Sequence, residues 1–131
     1  MCSEIGRGAF EGCYNLSMIS LPNCLKIGES AFSNASLHSI NLPKIVDLGR
    51  HAFYHCAYLD QVYLGSELEP SQTLILSNNY IFNLTSTRSE ITFELYLPST
   101  RVVQLNTSSL ILTPQYRPYS IYVPEELVSA Y

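Results

Sequence analysis

Charge is scarce in this chain. Only 14% of the 131 residues are Asp, Glu, Lys or Arg, and the formal net charge is −4. That balance excludes a basic surface for nucleic acid and any general attraction to anionic lipid. No apolar run approaches the roughly 20 residues that cross a bilayer, so this stretch is not expected to insert into a membrane. The opening residues, Met1-Cys2-Ser3-Glu4-Ile5-Gly6, hold neither a basic start nor an apolar stretch, so no signal peptide is read there. Motifs of nucleotide and metal chemistry are missing as well: no GxGxxG, Walker or HExxH string, and no cysteine pair at C-x2-C spacing. Acidic residues form no repeated column, which excludes calcium binding of the stacked-repeat kind. The expectation is no cofactor, no metal and no enzyme.

What the chain does have is repetition. With 47% apolar residues it reads as one globular domain over residues 1–131. Ile5-Gly6 returns as Ile27-Gly28 and Leu48-Gly49, at spacings of 22 and 21 (27 − 5 and 48 − 27). Ala9-Phe10 returns as Ala31-Phe32 and Ala52-Phe53, and Cys13 as Ala35 and Cys56. Leu16, Ile19 and Leu21 return as Leu37, Ile40, Leu42 and as Leu59, Val62, Leu64. A fixed period of this length predicts a solenoid. The last two apolar positions of each triplet alternate with polar partners, as in a short strand with one face inside. Pro22 and Pro43 follow where a ladder donor is least needed. The Ala-Phe-x-x-Cys part suits one helical or 3₁₀ turn with its apolar side inward, and the preceding glycines are read as letting the chain bend sharply. Stacked copies should pile Phe10, Phe32 and Phe53 into one interior column, since no single coil buries this apolar set alone.

Residues 5–64, with their alternation of an LxxIxLP strand and an IGxxAFxxC turn, resemble the BspA-like (Treponema pallidum type) class of bacterial leucine-rich repeats. The resemblance implies a leucine-rich-repeat solenoid with a parallel β-sheet on one face and short helical or 3₁₀ turns and short strands on the other. It also implies a secreted or cell-surface protein with an adhesive role. Regular coils are read over 1–64, and an irregular joint of loop composition over 65–72. Variant coils follow over 73–123, with a small C-terminal helical cap over 124–131, where Pro124 opens a helix and Glu125 and Glu126 sit in its first turn. The convex half of one coil is expected to be missing at the joint. Beyond it, Leu74/Leu95, Leu76/Leu97, Ile81/Val102 and Leu84/Leu105 repeat at an offset of 21, with strands expected on both sides. The stretch begins inside a repeat, so upstream residues are inferred to have been removed. The uncapped first coil, Cys2 to Leu21, is expected to be a self-association surface.

The reactive residues fit the repeat better than they fit catalysis. Cys13 and Cys56 share one slot two coils apart, too far for a disulfide. Cys2 and Cys24 lie one coil apart at equivalent places, where either a disulfide or two stacked thiols fits. His51, His55 and Cys56 suggest a Cys-His site, but Cys56 holds a core slot, and the histidines hold slots filled by Ser30 and Asn34 one coil earlier. The third histidine, His38, is the other base on offer. Asn-x-Ser/Thr strings at Asn15, Asn34, Asn83 and Asn106 are read as turn chemistry.

The informative surface is the outward face of the sheet. If Leu21, Leu42, Leu64, Leu76, Leu97 and Val123 form an inward column, the residues before them face out: Ser20, Asn41, Tyr63, Ile75, Tyr96 and Tyr122. Met18, Ser39, Gln61, Thr73, Glu94 and Ser120 form the next outward column. Tyr63, Ile75, Tyr96 and Tyr122 make an apolar ridge with hydroxyl tips, suited to a protein or glycan ligand. Cross-strand stacking that merely stabilises the sheet is the alternative. The function expected is non-enzymatic recognition or adhesion, the alternative being a structural spacer with no ligand of its own.

Overall fold

The computed structural model describes residues 2–69, 71–76, 80–83, 92–97, 104–105, 110–111 and 119–122. Within them the chain winds as a parallel β-solenoid of about four turns. In chain order the strands are β1 (Glu4–Ile5), β2 (Lys26–Ile27), β3 (Ser39–Leu42), β4 (Asp47–Leu48), β5 (Gln61–Leu64), β6 (Ile75–Leu76), β7 (Phe82–Asn83), β8 (Phe93–Tyr96), β9 (Gln104–Leu105), β10 (Leu110–Ile111) and β11 (Tyr119–Tyr122). Each coil has three walls. The first is a five-stranded sheet, β1-β2-β4-β6-β9. The second is a stack of turns, continued by the β7-β10 pair. The third is a four-stranded sheet, β3-β5-β8-β11. All pairings are parallel.

Alternation explains the two sheets. In β3 and β5 every second residue is buried: Ile40 and Leu42, then Val62 and Leu64. Two-residue strands suffice for the opposite wall, where Ile5, Ile27, Leu48 and Leu76 point inward. Between the walls lies the expected column of phenylalanines. Phe10 and Phe32 stack at 5.1 Å, Phe32 and Phe53 at 5.5 Å, with rings within 8° of parallel. Each such pair contributes about 0.5–1.5 kcal/mol beyond its buried area.

The turn wall corrects the helical expectation: no helix occurs among the described residues, and so none long and apolar enough to cross a membrane. Its N–H groups alternate between two partners. Ala9, Glu11 and Cys13 bond back three residues, to Gly6, Gly8 and Phe10. Gly8, Phe10 and Gly12 bond across to Glu29, Ala31 and Ser33 of the next coil. The third residue of every other turn is left-handed, as a type II turn requires. Those residues are Gly8 and Gly12, then Ser30 and Asn34, then His51 and His55. A left-handed residue every fourth position prevents a helix. Asn34 is thus a turn residue, as its string suggested.

The recurrent Gly6, Gly28 and Gly49 have a different purpose from the one expected. None has positive φ. A Cβ on Gly49 would stand 2.6 Å from the Glu29 nitrogen and 2.7 Å from the Gly28 carbonyl carbon. One on Gly28 would stand 2.8 Å from the Arg7 nitrogen. Glycine is needed where one coil's backbone rests on the next.

The joint also differs from expectation. Asp47 pairs with Ile75, so Leu76 continues the column of Ile5, Ile27 and Leu48 on the five-stranded sheet. The convex half of the fourth coil is present: Phe53 N–H donates to the Ile81 carbonyl, and Phe82 stacks on Phe53 at 5.3 Å. What grew is the corner between the sheets, six residues from Leu42 to Leu48 but twelve from Leu64 to Leu76 (48 − 42 and 76 − 64). The Gly65 N–H to Leu42 and the Glu67 N–H to Pro43 tie that longer corner to the coil below. The 21-residue offset fails for the same reason: Leu95 pairs with Val62 and Leu76 with Leu105, on opposite walls. The true offset from β6 to β9 is 29 (104 − 75). Strands do occupy both sides of these coils, as expected. The expected cap over 124–131 lies outside the described residues, as do Val123, Leu84, Val102 and Asn106.

Candidate functional site

Parallel register builds the ridge. Tyr63 pairs with Tyr96, and Tyr96 with Tyr122, so the three side chains emerge side by side from β5, β8 and β11. The rings stack at 4.5 and 4.6 Å, tilted by 11° and 10°. These spacings match the roughly 4.8 Å between strands, so the ladder itself sets the stack. Ile75 does not join them. It sits on the five-stranded sheet, paired with Asp47 and Gln104, on the other side of the molecule. It was misplaced because an apolar alternation fits either sheet equally well. Toward the first coil the ridge gives way to Asn41 and Ser20, both exposed.

Glu94 braces the tyrosines. It lies two residues before Tyr96 and so on the same face. Gln61 Nε2 donates to Glu94 Oε1 at 3.0 Å. The hydroxyls of Tyr96 and Tyr122 donate to Oε2 at 3.2 and 3.1 Å. These donors, Gln61 first, hold the Glu94 carboxyl below the usual range. Desolvation, then the Glu94 charge, pushes the Tyr96 hydroxyl up to about 12. The sequence placed Gln61 and Glu94 in the flanking column without linking them to the ring tips. The i, i+2 spacing of Glu94 and Tyr96 was the available signal.

The stack restricts what the ridge can hold. Ring faces inside it are covered by neighbouring rings, so the surface offers edges and hydroxyls around one carboxylate. Tyr122, at the end of the stack, is 44% exposed. Edges and hydroxyl tips suit a protein surface better than the flat face of a sugar, which needs an open ring face.

The cysteines and histidines form no catalytic group among the described residues. The Cys56 thiol is fully buried, donates to the Phe32 carbonyl at 3.0 Å, and is pushed by burial up to about 12. A thiol in that state is a poor nucleophile. His55 stacks on Tyr54 at 3.9 Å, and His51 lies 4.6 Å from the same ring. Desolvation, then Arg50, lowers the His51 pKa. Cys2 and Cys24 are both free thiols, donating to the carbonyls of Glu4 and Lys26 at 3.4 and 3.2 Å. No group of three or more His, Cys, Asp or Glu able to hold a metal occurs among the described residues.

Comparison with curated proteins and with solved structures returns no match. The family model of the BspA type leucine rich repeat region (6 copies) matches residues 1–101, across both the regular coils and the lengthened fourth one. Members of this repeat class are generally interaction modules. With its stacked phenylalanines, its coil-on-coil glycines and a match over most of its length, the chain belongs to the BspA-type leucine-rich repeat family.

Proposed function

We propose that this solenoid is a non-enzymatic recognition module of a bacterial cell-surface or secreted protein, engaging a protein ligand through the four-stranded sheet. The observation that carries the reading is the ordered ridge of Tyr63, Tyr96 and Tyr122 with its Glu94 brace. Broad rings fixed in one arrangement lose little conformational entropy on binding, which favours tyrosine at interfaces. The lone carboxylate beneath two hydroxyls suits donors on the ligand. The test is a pull-down from extracellular host proteins beside a glycan array, with the wild type and with the Tyr96→Ala, Tyr122→Ala double variant. A protein captured by the wild type and lost with the folded double variant supports the ridge. Undiminished capture by that variant dismisses it, and no capture at all favours a spacer.

Self-association through the first coil belongs to the same reading. Met18 is 78% exposed there, and one backbone hydrogen bond, His38 N–H to the Ser17 carbonyl, joins residues 17–21 to the second coil just before β3. Sedimentation that is independent of concentration rejects it.

A further inference from the structure

A second surface lies away from the ridge, at the corner where the turn wall runs into the four-stranded sheet. Its origin is a one-residue difference between coils. Cys13 to Leu16 and Cys56 to Leu59 each span three positions, whereas Ala35 to Leu37 spans two (16 − 13, 59 − 56 and 37 − 35). Coil two therefore lacks the residue that stands before the leucine as Asn15 in coil one and Tyr58 in coil three. The shortfall leaves a notch of about 200 Å³, with Tyr14 on the side of the first coil and Tyr58 on the side of the third. Coils one and three lie two strand spacings apart, about 10 Å. Ser36 and Ala57, both small, line the notch between them, with Asn34 and His55 beside them.

We propose that this notch is a carbohydrate subsite that takes one neutral pyranose unit. A pyranose presents an apolar C–H face and a rim of hydroxyls that both donate and accept. Tyr14, 73% exposed, and Tyr58, 48% exposed, supply aromatic surface to that face. The Asn34 amide, the His55 imidazole and the Ser36 hydroxyl supply donors and acceptors for the rim. No formally charged side chain lines the notch, which selects against anionic sugars and for neutral ones.

A further observation separates this corner from an accidental dent. Its polar side chains are held in place: His55 stacks on Tyr54 at 3.9 Å, Asn34 Nδ2 donates to Ser33 Oγ at 3.3 Å, and Tyr58 packs against His38 at 5.7 Å. Asn34 and His55, with φ of 59° and 55°, occupy the left-handed slot that Gly12 fills in the first coil and that the type II turns require in every coil.

The experiment is saturation-transfer NMR of the protein with methyl glycosides of neutral hexopyranoses (glucose, galactose and mannose). Transfer to at least one glycoside is expected, with Tyr14→Ala weakening it about tenfold, the loss of one aromatic contact. Tyr14 is mostly exposed, so that variant keeps the wild-type melting temperature. His55→Gly relieves the left-handed backbone, so it should melt no lower than wild type while losing transfer. Tyr96→Ala should leave transfer intact, which keeps this test separate from that of the ridge. The proposal is overturned by no transfer from any glycoside, by transfer that survives both Tyr14→Ala and His55→Gly, or by transfer lost with Tyr96→Ala.

Discussion

Gly6 and Gly49 occupy one slot of the repeat, two coils apart, yet only one of them is crowded. A Cβ on Gly6 meets nothing within 4 Å, while one on Gly49 runs into the backbone of Glu29 and Gly28. Phe10 is half-buried and Phe53 fully buried, in one column. Cys13 is half-buried and Cys56 fully buried. The first and third coils thus share a pattern without sharing energetics. A side chain here gains its stability from the layers above and below, so a slot's worth depends on its neighbours more than on its letter.

The sharpest way to break that comparison is at the phenylalanines. Phe53→Ala empties a fully buried site stacked on both sides and should cost about 3–5 kcal/mol. Phe10→Ala removes a ring stacked on one side and partly in water, and should cost roughly half as much. Equal losses by urea unfolding would refute the layered account. The glycines give a cleaner contrast. Gly49→Ala forces two backbones apart, a cost of about 1–3 kcal/mol. Gly6→Ala should change stability by less than about 1 kcal/mol, and in the stabilising direction if the unfolded chain loses freedom.

Both contrasts rest on positions that were visible before any coordinates, and the reasons for this are uneven. The phenylalanine column and the Tyr63-Tyr96-Tyr122 row were legible because inward and outward columns follow directly from strand alternation. The recurrent glycines were visible but misread, since a close approach between coils and a sharp bend both call for glycine. Ile75 was misplaced because two sheets of one solenoid share a single apolar grammar, and only register tells them apart. Phe82 was missed because the fourth coil carries Ile81 in place of alanine and lies behind a corner lengthened by six residues. The corner notch was hidden in a one-residue shortfall, which reads as noise until the coils are stacked.

The left-handed slots offer a smaller, opposite effect. Gly8 in the first coil sits at φ of 63°, and Ser30 and His51 repeat that conformation at 57° and 59°. A side chain there costs about 1–2 kcal/mol against glycine. Ser30→Gly should therefore raise stability by roughly 1 kcal/mol, partly offset by the greater freedom of glycine in the unfolded chain. His51→Gly should gain less, because it also gives up the ring contacts with Tyr54 and Tyr80. Gly8→Ala must go the other way. A Ser30→Gly variant that melts below wild type would show that the hydroxyl, not the backbone, decides this slot.

The smallest expected effect separates the first two coils from the later ones on the sheet face. Ser20 and Asn41 precede Tyr63, Tyr96 and Tyr122 in one outward column, and only the later coils carry the carboxylate brace. Glu94 has its carboxyl held below the ordinary value of 4.5, so its hydrogen bonds favour the folded state above that value. The contribution is lost as pH falls through the lower, folded value. Tyr96 behaves in the opposite sense: raised from 10.0 to about 12, it contributes fully below pH 10, and the contribution is lost as pH rises toward 12. Alkaline titration followed by phenolate absorbance should therefore show an ionisation step near pH 12, and Tyr96→Phe should remove that late step. Glu94→Gln keeps an acceptor beneath the hydroxyls but removes the charge, so the late step should move to lower pH and the acid-side loss of stability should shrink. If the late step stays in place in Glu94→Gln, desolvation and the neighbouring tyrosines hold the proton on Tyr96, and the carboxylate charge has no part in it.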